Sequence, residues 1–307
     1  MEVPISIPQQ PTTRRRFLKA GMYGAAGLAI YSGEIARHSI EVTRHDMPLA
    51  GLSHVFDGMQ IVQLSDIHMD EYTEAFFLER AVDRINQLRP DAVFLTGDYV
   101  SHVPLSKKFA IGAAWQCANI LNKLRCRSRY AILGNHDLGV GAEEVTEALT
   151  ANGITVLRNA CLPIERGGSR FWLAGTDDPV SGNPDLELAI PRWIRNVPNE
   201  PIVLLVHAPD YANVFLDDPA SKVVHMMLSG HTHGGQIRLP VVGPLYLPGW
   251  GRKYVEGWFH LGGWWNPLRL YVNRGIGTVG VPFRLNCPPE ITVFTLRTTP
   301  FAAPTKR

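Results

Sequence analysis

Five short polar motifs, spread over about half of a 307-residue chain, carry the residues able to do chemistry. They are Asp66-Ile67-His68, Gly97-Asp98, Gly134-Asn135-His136-Asp137, a lone His207, and Gly230-His231-Thr232-His233-Gly234-Gly235. Imidazole and carboxylate together are ligands for divalent cations; with no thiolate among them, Mn, Fe, Zn and Co all suit. Two such cations about 3.5–4 Å apart neutralise phosphoryl oxygens, acidify a water and hold it in line with a leaving group. One oxyanion must then touch both ions, and Asp98, in a tight turn after Gly97, suits that place. Asp66 and His68, two apart on an extended segment, project to one side and can grip one ion together. Asn135 offers a neutral carbonyl oxygen, which keeps an ion more electrophilic than a further carboxylate would. His231 and His233 repeat the same spacing, between glycines that let the backbone come close. Each motif alone is commonplace, and a single histidine after a strand is usually a packed core residue. Their order, each behind an apolar run, carries the metal-site reading.

Those runs are Met59–Ser65, Asp91–Thr96, Ser128–Leu133, Ile202–Val206 and Val223–Ser229. They read as buried strands, so each motif falls at a strand end, where α/β sheets gather their functional residues. Helical spacing of apolar residues predicts helices over Glu74–Leu88, stopped by Pro90, over Phe109–Leu124, and over Glu143–Ala151, closed by Asn152-Gly153. Further strands are expected near Ser39–Arg44, Thr155–Leu157, Arg170–Ala174, Leu268–Val272 and Ile291–Leu296, with loops and short strands over Ile237–Asn266. The alternation predicts an α/β sandwich. The chain divides into residues 1–45, an N-terminal segment and linker; 46–297, one large domain; and 298–307, a flexible tail.

With 45% hydrophobic residues the chain can bury a large core. The formal charge of +2 is set by the N-terminus: residues 1–33 carry a net +3, and the remainder carries −1. No basic stripe follows, which argues against a nucleic-acid polymer as partner. Cys117, Cys126, Cys161 and Cys287 form no C-x-x-C pair and read as free thiols rather than a disulfide framework.

Thr13-Arg14-Arg15-Arg16-Phe17-Leu18-Lys19 resembles the twin-arginine export signal, Ser/Thr-Arg-Arg-x-Phe-Leu-Lys, at every position. The uncharged stretch Ala20–Gly33 behind it suits the apolar region of a signal and is short for a membrane span. The resemblance implies export in the folded, metal-loaded state by the twin-arginine translocase, to the periplasm or cell envelope. Ser32-Gly33-Glu34-Ile35-Ala36 is a weak cleavage candidate, so retention of the segment as a membrane anchor stays open.

The five motifs together resemble those of the calcineurin-like metallophosphoesterase superfamily over about Met59–Leu296. The resemblance implies a four-layer α/β/β/α sandwich with a dimetal site at the strand ends, and a hydrolase of phosphoester bonds. It assigns Asp66, His68, Asp98 and His233 to one metal and Asp98, Asn135, His207 and His231 to the other. His136 becomes the acid that protonates or stabilises the leaving group, with Asp137 orienting its ring, and a hydroxide bridging two divalent ions becomes the nucleophile. A histidine beside the ligands but not needed as one is free for proton transfer, which agrees.

The N-terminus, the Gly230–Gln236 ending and Val272-Asn273-Arg274-Gly275-Ile276-Gly277-Thr278 resemble an envelope-associated bacterial branch described as phosphodiesterases. Some of its relatives cleave the pyrophosphate of UDP-2,3-diacylglucosamine, a lipid A precursor. The stretch Leu245-Tyr246-Leu247-Pro248-Gly249-Trp250, with Trp258-Phe259 and Trp264-Trp265, is either a rim for an acyl chain or membrane surface, or ordinary packing. Arg274 and Arg284 are either partners of a second phosphate or structural ion pairs. The Phe109–Leu124 helix reads as core, with lipid contact the alternative. The leading expectation is a phosphodiesterase or pyrophosphatase on a lipid-linked or nucleotide substrate. The alternatives are a phosphomonoesterase on small molecules or phosphoproteins, and a non-catalytic metal-binding envelope protein, against which the intact His136-Asp137 pair speaks.

Overall fold

The computed structural model describes residues 13–70, 73–102, 107–197, 200–262 and 268–299. Helix α1 (Thr13–Ile30) is followed by π and 3₁₀ turns, Tyr31–Ile35 and Ala36–His38. Next come β1 (Glu41–Ala50), β2 (Gln60–Leu64), α2 (Ala75–Leu88), β3 (Ala92–Leu95), α3 (Lys107–Leu121), β4 (Arg129–Ala131), α4 (Asn135–Ala151) and β5 (Thr155–Val156). The second half holds β6 (Ala160–Arg166), β7 (Ser169–Gly175), β8 (Ile202–Leu205), β9 (Val224–Ser229), β10 (Arg238–Leu239), β11 (Gly243–Pro244), β12 (Gly257–Leu261), β13 (Leu268–Val272) and β14 (Glu290–Thr299).

Two six-stranded sheets result, in the orders β1-β14-β2-β3-β4-β5 and β12-β13-β9-β8-β7-β6, with β10 and β11 as a separate hairpin. Strands β2 to β5 run parallel, as do β7, β8, β9 and β13. Alternate residues of one strand serve different cores. Ile61, Phe94 and Phe294 of one sheet meet Phe171, Leu173, Val203 and Met226 of the other. On the opposite faces, Val62, Leu64, Val93 and Leu95 receive Phe77, Leu78 and Val82 of α2 with Ala114, Cys117 and Leu121 of α3, and Leu204, Met227 and Leu270 receive Ile190, Ile194 and Phe215. Strands covered on both sides read as unbroken apolar runs. The architecture is the expected α/β/β/α sandwich.

Several expectations need correction. The boundary drawn at residue 45 cuts β1, which pairs with β14 along its whole length, Glu41 with Glu290 through Ala50 with Thr299. Strand-strand hydrogen bonds thus carry the domain back to Glu41. The same pairing takes Thr298 and Thr299 out of the expected tail, whose remainder, like Trp264-Trp265, lies outside the described residues. The helix expected from Glu143 starts at Asn135, with a break at Gly141, so the Asn135-His136-Asp137 motif is a helix N-terminus rather than a loop. Strand β6 escaped the reading because Ala160–Arg166 is half exposed and mixed in character. Helix α3 packs into the core, and the four cysteines are free thiols. Among the described residues no helix is long and apolar enough to cross a membrane.

Candidate metal centre

The loops after β2, β3, β8 and β9, with the start of α4, converge at one end of the stacked sheets. Backbone bonds lock them together: Asp66 N–H donates to Gly97 O (3.0 Å), His68 N–H to Asp98 O (3.0 Å), and Gly230 N–H to His207 O (3.0 Å). The approach is close. A Cβ on Gly97 would lie 2.6 Å from Gly134 N and 2.8 Å from His207 Nδ1, so only glycine fits there.

Five of the seven expected ligands have left-handed backbones: Asp66 (φ 51°), His68 (49°), Asp98 (57°), His231 (72°) and His233 (52°). This corrects the sequence argument for Asp66 and His68. They converge because each turns left-handed, not because an extended segment alternates its side chains. Such a conformation costs an L-residue about 1–2 kcal/mol, and strain of this kind collects at functional sites.

Asp66, His68 and His233 bring their ligand atoms within 4.8 Å of one another, and Asp98, His207 and His231 do the same. Asp98 Oδ2 lies 3.4 Å from His68 Nε2 and 3.1 Å from His207 Nε2, between the two sets. His233 Nε2 lies 3.0 Å from His68 Nε2 and 3.5 Å from Asp66 Oδ1. Backbone carbonyls, which only accept, set two tautomers. His207 Nδ1–H donates to Thr96 O (2.7 Å) and His231 Nε2–H to Gly249 O (2.8 Å), turning the other nitrogen of each toward the cluster. Ser101 Oγ donates to Asp70 Oδ2 (2.6 Å), so it accepts from His68 Nδ1–H (3.2 Å) and leaves His68 Nε2 its lone pair.

Asn135 Oδ1 is buried with no hydrogen-bond partner among the described residues, and His207 Nε2 faces the Asp98 carboxylate at 3.1 Å. Buried polar atoms are rarely left unpartnered, and a cation is the partner that Asn135 Oδ1 lacks. The acid–base balance agrees. Burial holds His68 down to about 3 against the pull of Asp98, and burial with the His207 charge holds His231 down to about 4. Burial, His68 and Arg284 keep His233 well below the usual imidazole value. Burial opposes charge on Asp98 and on His207, but their opposite charges win, lowering the first and raising the second well away from their ordinary values. Burial, with Asp98 adding to it, lifts Asp66 to about 6. The residues fit two divalent ions: the lone pairs of His68, His231 and His233, the His207 imidazole once its proton is displaced, two carboxylates and an amide oxygen.

His136 belongs to neither set, although one of its ring nitrogens lies within 4.8 Å of the ligand atoms of His68 and Asp98. Its Nδ1 accepts the His102 N–H (2.8 Å), and a backbone N–H can only donate, so the ring proton of the neutral form sits on Nε2. The ring meets His68 edge-on at 4.7 Å and lines the cleft above the ligands. Asp137 does not orient it, contrary to expectation. Its Oδ1 accepts from Tyr99 N–H (2.8 Å) and Val100 N–H (3.3 Å), and its Oδ2 from Asp98 N–H (2.7 Å) and Gly134 N–H (2.9 Å). It is a buried clamp on the backbone of the Asp98 loop and on the start of α4. Burial and Asp98 push its carboxyl up to about 8. Four N–H donors nevertheless leave no room for a proton on either oxygen, so the ionised form is the one that fits.

Arg274 and Arg284 prove structural. Arg274 pairs with Glu290 (3.1 Å) and Glu41 (2.7 Å). Arg284 is fully buried and donates to the carbonyls of Arg274, Gly275, Gly277 and Cys287, the loop that backs Asp66. The aromatic stretch divides. Trp258 packs on Tyr271 and Phe294, whereas Leu245, Tyr246 and Trp250 stay exposed. Leu245, Tyr246 and Pro248 join Ile237, Val279 and Val281 around a cleft of ≈590 Å³ that opens on Asp98, Asn135, His136, His231 and His233. Sequence reasoning missed Ser101, Asp70 and the His102 N–H. Polar residues just past the Gly97-Asp98 motif were the available signal for the first. Asp178 was missed too: buried behind His207 at the end of β7, with Oδ1 unpartnered, it is lifted to about 6 by burial.

Two ligand sets meeting at one carboxylate, on the strand ends of an α/β/β/α sandwich, define a metallophosphoesterase. The chain belongs to the calcineurin-like phosphoesterase family, whose profile matches residues 59–235. Among its relatives, the metallophosphoesterase YkuE of Bacillus subtilis is 37% identical over 298 residues, covering 94% of this chain and 98% of the relative. The phosphodiesterase YaeI of Escherichia coli is 32% identical over 295 residues, covering 92% and 99%. Among solved structures, the NAD nucleotidase of Haemophilus influenzae matches with a TM-score of 0.47 and 16% identity. That match covers 71% of this chain and 45% of the nucleotidase, so the chain spans about half of its length. The protein is a phosphoester hydrolase.

Proposed function

We propose that the protein hydrolyses a phosphodiester or pyrophosphate whose leaving group carries an apolar, lipid-linked arm, in the cell envelope after twin-arginine export. The observation that carries this is the cleft: Asp98, Asn135, His136, His231 and His233 line its floor, and its walls are Leu245, Tyr246, Pro248, Ile237, Val279 and Val281. A charged phosphoryl group belongs on that floor, and an uncharged arm belongs against those walls. The relative named a phosphodiesterase supports diester chemistry. The twin-arginine pattern at Thr13–Lys19 supports export, and resemblance to enzymes acting on UDP-2,3-diacylglucosamine supports a glycolipid or nucleotide-lipid substrate.

Asp66, His68 and His233 would hold one divalent ion and Asn135, His207 and His231 the other, with Asp98 touching both. Bound there, the ions supply Lewis acidity and lower the pKa of water. The protein's own contribution is positional. Thr96 O, Gly249 O and Ser101 fix the imidazole tautomers, and Asp137 fixes the Asp98 loop. His136, held by the His102 N–H, presents its Nε2 proton to the departing oxygen.

The test is hydrolysis of bis-p-nitrophenyl phosphate against p-nitrophenyl phosphate by Mn²⁺-loaded protein. At least tenfold preference for the diester is expected, and preference for the monoester would overturn the diesterase reading. If loaded protein cleaves neither, and His136→Ala alters nothing, the site binds metal without catalysis.

A further inference from the structure

We propose that the face on which the cleft opens rests against an anionic lipid bilayer, held there by α1 and by the hairpin of β10 and β11. This deepens the lipid-linked reading above by naming the surface from which substrate is drawn.

None of the residues of α1 is buried, although it carries Phe17, Leu18, Met22, Tyr23, Leu28 and Ile30. It also carries Arg14, Arg15, Arg16 and Lys19 and no acidic residue. A helix of 18 residues with none of them buried, basic at its start and uncharged from Ala20 on, suits contact with anionic headgroups through its basic end. Among the described residues it is not apolar enough to cross a membrane.

Its place relative to the cleft is set by the turns behind it. Ser32 O accepts the Arg284 N–H at 3.1 Å, and a Cβ on Gly33 would fall 2.9 Å from the Phe283 ring. Arg37 pairs with Glu74 at 2.7 Å, and His38 stacks on Phe77. Residues 32–38 are therefore built into the domain, and α1 leaves it from the loop that holds Val281 and Phe283.

That loop adjoins the hairpin root. Arg238 N–H donates to Leu285 O (2.9 Å), Leu285 N–H to Gln236 O (3.0 Å), and the Gln236 amide to Val281 O (2.9 Å). From Leu239 to Gly251 the chain has no charged side chain, and Arg252 and Lys253 follow at once. At the hairpin tip Val241 is fully exposed, at 108%, and Val242 is 71% exposed. Two valines pointing into water serve no core; Arg14, Arg15, Arg16 and Lys19 lie at the start of α1, and Arg252 and Lys253 follow the hairpin segment, whereas Arg238 is paired with Glu256. Charge complementarity and the shared lip select an anionic bilayer as the surface that covers them.

The full-length protein is sedimented with phosphatidylethanolamine–phosphatidylglycerol vesicles and with phosphatidylcholine vesicles, beside a Val241→Asp/Val242→Asp variant. Expected are binding to the anionic vesicles that weakens with salt, at least tenfold weaker partition of the variant, and unchanged hydrolysis of bis-p-nitrophenyl phosphate. Wild type that ignores anionic vesicles, or a variant that binds as tightly, overturns the proposal. So does mature protein that has lost α1 and no longer sediments, since α1 would then serve the translocase alone. Hydrolysis and vesicle binding are read separately, so loss of one does not count against the other.

Discussion

Asp137→Asn separates a clamp from a catalytic partner. Each Asp137 oxygen receives two backbone N–H groups, Tyr99 and Val100 on one, Asp98 and Gly134 on the other. An asparagine keeps one oxygen but must present its NH₂ to the other pair, donor against donor, whichever way the amide turns. Two buried hydrogen bonds to a charged group are lost, at about 1.5–3 kcal/mol each, so a loss of about 3–6 kcal/mol is expected. For a chain of this size that is a fall in Tm of roughly 5–10 °C. Thermal unfolding of the Mn²⁺-loaded and metal-free proteins measures it, and both forms should fall, because the clamp does not depend on bound metal. If Asp137 instead oriented the His136 ring, Tm would stay within about 2 °C while kcat fell about a hundredfold. That outcome would refute the clamp.

Further outcomes follow from the same geometry. His136→Ala should lower kcat by about 10²–10⁴ with metal content and Tm unchanged, and the loss should shrink as the leaving group becomes more acidic. Ser101→Ala should weaken Mn²⁺ binding about 10–100-fold by freeing the His68 ring, as read by elemental analysis after dialysis. Arg284→Ala strips the donor from four carbonyls behind Asp66 and should cost about 3–5 kcal/mol, visible in denaturant unfolding. Metal binding must displace the protons favoured on Asp66, lifted to about 6, and on His207, also raised. Affinity should therefore drop as pH falls through 6, with protons released on binding. Calorimetry in buffers of different ionisation enthalpy that finds no release at pH 6 would contradict this.

The residues that gather at the candidate site were legible because chemistry constrains residue type and because most follow a strand buried on both faces, whose apolar run cannot be mistaken for a surface. The sandwich was legible from the same alternation. What was not legible was contact through backbone atoms. Nothing in residue identity says that Thr96 O and Gly249 O set two imidazole tautomers, or that the His102 N–H, not Asp137, meets His136. Residue type left Arg274 and Arg284 open as phosphate partners or structural ones; only packing shows them spent on Glu290, Glu41 and loop carbonyls. The start of the domain was misjudged because β1, an edge strand paired on one side with β14, is half exposed and polar.

Five of the expected metal ligands sit on left-handed backbones, held there by the surrounding sheets. At roughly 1 kcal/mol or more apiece, this geometry sets activity against robustness. A glycine at His231 would lose a buried ring and its bond to Gly249 O but relieve the strain, which alanine would not, so metal-free His231→Gly should melt no lower than metal-free His231→Ala. Selection for heat resistance alone would erode the centre, and the catalytic cup survives only where turnover is what selection counts.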